Sequence, residues 1–325
     1  MSTETEEVRP ILLDVLAAVV RQAILDLITE TDCTFTRFLT GLLELPITSD
    51  VNPIANECRD TIIGYPIKPY YLVVANAMYY CSCAGNLPRL SPMELYGIQE
   101  LDVFHQDPTQ MIVNVVDDIA ESLEVHSQCN PINGFWGYIW CKLSSSSLCS
   151  SDTGDYNMIE VPTPYVSTNS TIKVPKRVIA NMRELLLTMG TRGISLILGL
   201  RTTVGSADLC PPDRELLLEA FNEPHTPSSD LSLSSYQQPI QTKQKGKKKS
   251  ILTVGARAVC KHAHRSSENF WGDCTGPEAK KNITAFQLVE KLMNSCSWIN
   301  IHNMSGVQNS DIIIEVRTLE GYGAR

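Results

Sequence analysis

Between residues 8 and 31 the chain sets Ile11/Leu12, Val15/Leu16, Val19/Val20, Ala23/Ile24 and Leu27/Ile28 as adjacent apolar pairs that recur every four residues. That period lays one unbroken apolar stripe along a long helix, with Asp14, Arg21, Gln22 and Asp26 on the other side. A stripe of this length has to be covered by other helices. "FTRFLTGLLEL" supplies one candidate, ending before Pro46. Pro69 opens another, a buried helix over 70–83. Tyr70, Tyr71, Tyr79 and Tyr80 on it read as core and rim packing rather than as a face for stacked bases. Residues 1–125 are therefore expected to form a helical domain, with a possible protein partner on its surface.

The chain then loses its periodicity. Residues 126–170 read as irregular: "NPINGFWGYIWCKL" could give a short strand or hairpin, and "KLSSSSLCSSDTGD" a loop. Residues 171–225 read as a helical segment. "PKRVIANMRELLLTMGTRGISLILGL" is helix, glycine turn, helix; Pro211 and Pro212 start a further helix with Asp213 and Glu215 in its first turn, and Pro224 ends it. Residues 226–250 combine Ser, Gln, Pro and Lys without apolar anchors, which predicts a disordered basic linker. Its "KQKGKKK" could contact phosphate or act as a nuclear import signal.

Residues 251–325 read as a compact α/β unit. "TVGARAVCKHAHRSS" is helical, with Arg257, Lys261, His264 and Arg265 on one face and Ala256, Val259 and Ala263 elsewhere. Thr275 and Pro277 look like the cap and first position of the next helix. Its stripe is Ala279, Ile283, Phe286, Val289, Leu292, Met293 and Cys296. Past Trp298 the period changes: "WINIH" and "DIIIEVR" read as paired strands. The fold class is thus α+β: an N-terminal helical domain, a linker, and a C-terminal α/β unit with a small antiparallel hairpin.

Charge separates the two ends. The whole chain carries a net −9, yet residues 243–325 hold 13 basic and 7 acidic side chains. A basic end on an acidic protein points to an anionic partner, with RNA or another nucleic acid the leading candidate. The N-terminus "MSTETEEV" lacks the basic start of a signal or transit peptide. The most apolar helix is broken by Asp14, Arg21 and Asp26, so no membrane span is expected. The expectation is an intracellular protein, cytoplasmic or nuclear, with its 11 cysteines reduced and mostly buried. Cys260, His262, His264 and Cys274 are the one metal-like group, and their spacing fits no common zinc module. Neither a metal nor a cofactor is implied.

The candidate nucleic-acid site is Arg257, Lys261, His262, His264, Arg265, Lys280, Lys281, Arg317 and Arg325, with Trp271 and Tyr322 placed to stack on bases. Internal salt bridges with Glu268, Glu315 and Glu320 are the competing role for these cations.

"GARAVCKHAHRSSENFWG", "EVR" and "EGYGAR" resemble the C-terminal region of eukaryotic, plant-type ASCH-domain proteins, and "LGLRTTVGSADLCPPDRELLLEAFNEPHTP" and "IIGYPIKPYYLVVANAMYY" resemble parts upstream of it. The resemblance implies RNA binding through a PUA-like β-barrel. "GDYNMI" resembles the start of that barrel, but the strands that should follow are replaced within some twenty residues by "VPKRVIANMRELL". The 126–170 stretch is then a remnant of a mostly missing barrel. Three functions stay open: an ASCH-related RNA-binding or adaptor protein with no catalytic residues, a hydrolase or ribonuclease using Lys261, His262 and His264, and a protein–protein scaffold. No P-loop, G-x-S-x-G or zincin motif is present.

Overall fold

A computed structural model describes residues 5–30, 33–46, 61–90, 100–101, 107–126, 158–162, 171–225, 251–265, 270–303 and 312–324. The helices among them are α1 (Thr5–Glu30), α2 (Cys33–Leu43), α3 (Tyr70–Ala84), α4 (Thr109–His126), α5 (Lys176–Ile197), α6 (Arg214–Asn222), α7 (Val254–His262) and α8 (Glu278–Ser295). The strands are β1 (Thr61–Ile62), β2 (Arg89–Leu90), β3 (Met158–Pro162), β4 (Thr171–Pro175), β5 (Cys296–Asn303), β6 (Ile312–Thr318) and β7 (Gly323–Ala324). The class is α+β, as the change of period across Trp298 predicts. None of the described helices is long and apolar enough to cross a membrane. The expected disordered linker with its "KQKGKKK" run, and the hairpin expected within "NPINGFWGYIWCKL", lie outside the described residues.

The first helix is more deeply enclosed than a one-sided stripe requires. Leu16, Ala17, Ala18, Val19 and Val20 are five consecutive residues with no exposed surface. They are covered because α2, α3, α4 and α5 all pack against α1. Ala17 and Ala18 are small enough to let neighbouring helices approach on the side that the stripe leaves open. The polar residues Asp14, Arg21, Gln22 and Asp26 are half-buried rather than fully solvated. Burial accordingly raises the Asp14 carboxyl above its usual range. Gln22 donates to Asp26 at 2.8 Å, one turn along. At its C-terminal end Glu30 pairs with Arg183 of α5.

Two expectations between residues 126 and 225 need correction. Residues 171–175, expected to open a helical segment, form β4. It pairs antiparallel with β3, Ile159 opposite Val174 and Val161 opposite Ile172. Val161 and Val174 are buried in the helical core, which draws these β-branched residues into a hairpin. Asp213 stands just before α6 rather than in its first turn; its carboxylate accepts from the Glu215 amide at 3.0 Å. The helix–glycine–helix reading of 175–200 corresponds to α5 with a break at Gly190, whose φ of 59° and ψ of −173° interrupt the helical path.

The C-terminal sheet runs in the order β5-β6-β7, all antiparallel. Ile299, Ile301 and Val316 are buried and share the face on which Ile299 opposes Val316. The helix over the sheet, α8, begins at Glu278; Pro277 precedes it as its cap and makes no side-chain capping bond. One hydrophobic core runs from α1 through α3 and α5 into α8, β5 and β6. The outer edge of β5 is taken by the segment that follows α5. There the Arg201 amide donates to the Ile299 carbonyl and the Ala207 amide to the Ile301 carbonyl, both at 2.7 Å.

Candidate nucleic-acid cleft

The start of α7 is fixed at three points. The Thr253 hydroxyl accepts from the Ala256 amide at 3.2 Å. The Asn282 side chain on α8 accepts from the Thr253 amide at 3.0 Å and donates to the Ile251 carbonyl at 2.9 Å. Asn282 thus locks α7 against α8, a role that no spacing rule assigns to an asparagine inside a helix. The buried side of α7 is Ala256 and Val259, packed with Ala285 and Leu288 of α8. That orientation leaves Arg257, Lys261 and His264 exposed. His264 lies in a short 3₁₀ turn (Ala263–Arg265) that continues α7. Lys261 and His264 make no ion pair with another described residue.

A disulfide joins Cys260, on α7, to Cys274, in the loop before α8. This corrects the expectation that these cysteines are reduced, and the two sulfurs of the metal-like group are bonded to each other. The bridge holds the 270–277 loop against α7, and with it Trp271. Trp271 is half-buried and meets Phe270 and Tyr322 edge-on, at centroid distances of 4.9 Å and 5.9 Å. Phe270 and Tyr322 are stacked face to face at 4.1 Å. The Lys291 ammonium lies 4.5 Å from the Phe270 ring centre. Phe270 and Lys291 complete this cluster but stand out in no sequence pattern.

Between α7, α8 and β7 lies a pocket of about 350 Å³. His262 and Trp271 are at its polar and aromatic sides. Val259, Leu288, Leu292 and Phe221 of α6 are part of its apolar lining, and Gly323 of β7 lines it as well. Only glycine fits at 323: an added Cβ would stand 2.5 Å from the Val316 carbonyl oxygen and 2.7 Å from Arg317 Cγ. Two of the expected site residues, His262 and Trp271, line this pocket, and Tyr322 packs against Trp271.

The others behave differently. Arg317 is expected as a phosphate contact, but it is occupied within the sheet. Its Nε donates to Glu315 Oε1 at 2.8 Å, a second nitrogen contacts the same oxygen, and Nη1 donates to the Gly321 carbonyl at 3.4 Å. On the opposite oxygen, His302 Nε2 lies 3.4 Å from Glu315 Oε2. Glu315 is 5 % exposed, so it has to be paired, and the Arg317 guanidinium, with the His302 imidazole on the other oxygen, serves that need. Lys280 is exposed and Lys281 half-buried, both in the first turns of α8. Arg325 and the side chain of Arg265 lie outside the described residues.

Residues 241–325 match the family model of the CdiA C-terminal tRNase toxin domain. The match covers the basic end of the chain and takes in every lining residue of the cleft except Phe221 of α6. No curated protein and no solved structure matches the chain. The resemblance to ASCH-domain proteins is overturned, because "GARAVCKHAHRSSENFWG" and "EGYGAR", the segments that carry it, fall inside this match. The reading of 126–170 as an ASCH remnant goes with it, and the described part of that stretch, β3, belongs to the hairpin with β4.

Proposed function

We propose that this protein is a ribonuclease that cuts RNA of the tRNA class, with its active centre in the cleft between α7, α8 and β7. The observation that supports this reading is the match of 241–325 to a tRNase toxin domain, in the part of the chain that carries the excess of positive charge. It favours the ribonuclease alternative over a purely RNA-binding role.

Phosphodiester cleavage of RNA needs three things. A base takes the proton from a ribose 2′-hydroxyl, which then attacks the adjacent phosphorus. A cation offsets the charge gathering on the phosphoryl oxygens. An acid gives a proton to the departing 5′-oxygen as the P–O bond breaks. The products are a 2′,3′-cyclic phosphate and a free 5′-hydroxyl. His262, half-buried on the wall of the pocket, is the group we assign to proton transfer. Lys261 adjoins it in sequence and Arg257 lies one turn back, both exposed and suited to phosphate. His264, exposed in the 3₁₀ turn two residues on, is a second imidazole near this end of α7.

The test is incubation of the purified full chain with a tRNA pool and with single-stranded DNA of matched length. Cleavage confined to RNA, lost in His262→Ala and reduced ten- to thousand-fold in Lys261→Ala, supports the reading. Absence of cleavage by the unaltered chain, or equal cleavage by His262→Ala, overturns it. Tight, salt-dependent tRNA binding without cleavage would return the protein to an RNA-binding role.

A further inference from the structure

We infer that the pocket between α7, α8 and β7 receives one unstacked nucleobase, so that the RNA is engaged at a loop or single strand and not within a duplex. The inference rests on the ribonuclease reading for the identity of the polymer and goes beyond it in naming the form of the substrate.

Its walls have the chemistry of a heterocycle's two aspects. The faces of a base are polarisable and apolar, and they match the Trp271 ring and the Val259, Leu288 and Leu292 side chains in the pocket's lining. The edge of a base carries donors and acceptors. His262, Gly323 and Ala324 are also in the lining, and they supply an imidazole and backbone groups that such an edge could meet. β7 pairs with β6 along one side only among the described residues, so its other side has backbone groups to offer. A volume of about 350 Å³ is enough for one nucleobase with part of its ribose.

Charge complementarity selects nucleic acid over an apolar ligand. Arg257 and Lys261 are exposed on the helix that forms the pocket's wall, and phosphates on either side of an inserted base would meet them. The aromatic wall is held in place before any ligand arrives. The Cys260–Cys274 bridge anchors its loop, and the rings of Phe270 and Tyr322 brace Trp271 edge-on. A base inside a duplex is stacked and paired, and its edge is turned toward its partner. It reaches such a pocket only after extrusion, so unpaired positions are preferred.

Ala258 lines the pocket yet is exposed, which makes it the place to fill the space without disturbing the core. Ala258→Phe and Trp271→Ala in the full chain are compared with the unaltered protein for binding of a short 2′-O-methyl RNA, which cannot be cut. The same strand is then tested annealed to its complement. The inference expects single-strand binding at least tenfold tighter than duplex binding, and at least tenfold weakening in Ala258→Phe with an unchanged melting temperature. Equal binding of single strand and duplex, equal binding by Ala258→Phe, or no binding by the unaltered chain overturns it. Binding as expected without cleavage of unmodified RNA would keep the pocket and sink the ribonuclease reading. Normal cleavage by Ala258→Phe would do the reverse.

Discussion

The side-chain amide of Asn300 donates to the Thr203 hydroxyl at 2.9 Å. Asn300 has no exposed surface, and its carbonyl accepts from Ser206 Oγ at 2.8 Å. One strand of the region that matches the toxin domain is thereby joined, through a buried polar network, to the segment that leaves α5. Arg201 strengthens the same seam: it pairs with Glu100 at 2.9 Å and donates to the Ser297 carbonyl at 2.9 Å. The Gly64 amide donates to the Cys296 carbonyl and the Tyr65 amide to the Met293 carbonyl, both at 2.7 Å. The cleft therefore sits on a sheet whose outer edge and one face are completed by residues far upstream.

Asn300→Ala is expected to lower unfolding free energy by about 1–3 kcal/mol, because it removes two hydrogen bonds from a buried network and leaves the Thr203 and Ser206 hydroxyls, 3.2 Å apart, with only each other and the Thr203 amide. Urea titration of the full chain followed by far-UV circular dichroism measures it. A change under 0.5 kcal/mol would mean that the network is replaced by water at little cost.

Glu315→Gln should act on the sheet first and on the cleft second. Glu315 is buried and holds Arg317, and Arg317 in turn reaches the Gly321 carbonyl in the turn before Tyr322 and Gly323. Losing the carboxylate charge should cost about 1–3 kcal/mol, at the lower part of the range for a buried pair because Arg317 is one-third exposed. RNA cleavage should fall with it, by a rise in KM, as the β7 side of the pocket loosens. A fall in kcat at unchanged KM would instead place Glu315 in the chemistry.

Opening the Cys260–Cys274 bridge frees a loop whose ends are 14 residues apart in sequence. Cys260→Ser with Cys274→Ser should cost about 3 kcal/mol of stability on the loop-entropy argument. It should also weaken binding of single-stranded RNA, since Trp271 loses one of its anchors. Amide exchange of residues 270–277 is the readout; unchanged protection would show that the aromatic contacts suffice.

Thiol reactivity should divide the described free cysteines sharply. Burial pushes the Cys81 thiol up to about 11 and the Cys296 thiol up to about 12. A raised thiol pKa means a neutral, unreactive sulfur at pH 8, and both side chains are also closed to reagent. Cys83 is exposed on the same helix as Cys81. Iodoacetamide at pH 8, read by peptide mass mapping, should label Cys83 long before Cys81 or Cys296. Equal labelling of Cys81 would show that α3 opens readily.

Periodicity carried the helices at 5–30, 70–84 and 278–295, the strand pair after Trp298 and the outward face of Arg257, Lys261 and His264, because each follows from spacing along one element. Local chemistry sufficed there: apolar side chains at helical or alternating intervals must share a face whatever surrounds them. The stripe of α1 nevertheless understated its burial, since the number of helices that converge on Ala17 and Ala18 is not written in α1 itself. The joining of Cys260 to Cys274, the trio Phe270–Trp271–Tyr322 and the locking of α7 by Asn282 were decided only in three dimensions. Each joins residues on different elements or across a turn, and spacing along a sequence carries no distance between elements. Charge misled for a different reason: Arg317 counts as a cation in any sum, but Glu315, two residues back on the same strand, is buried by the fold and claims its donors before an external phosphate can.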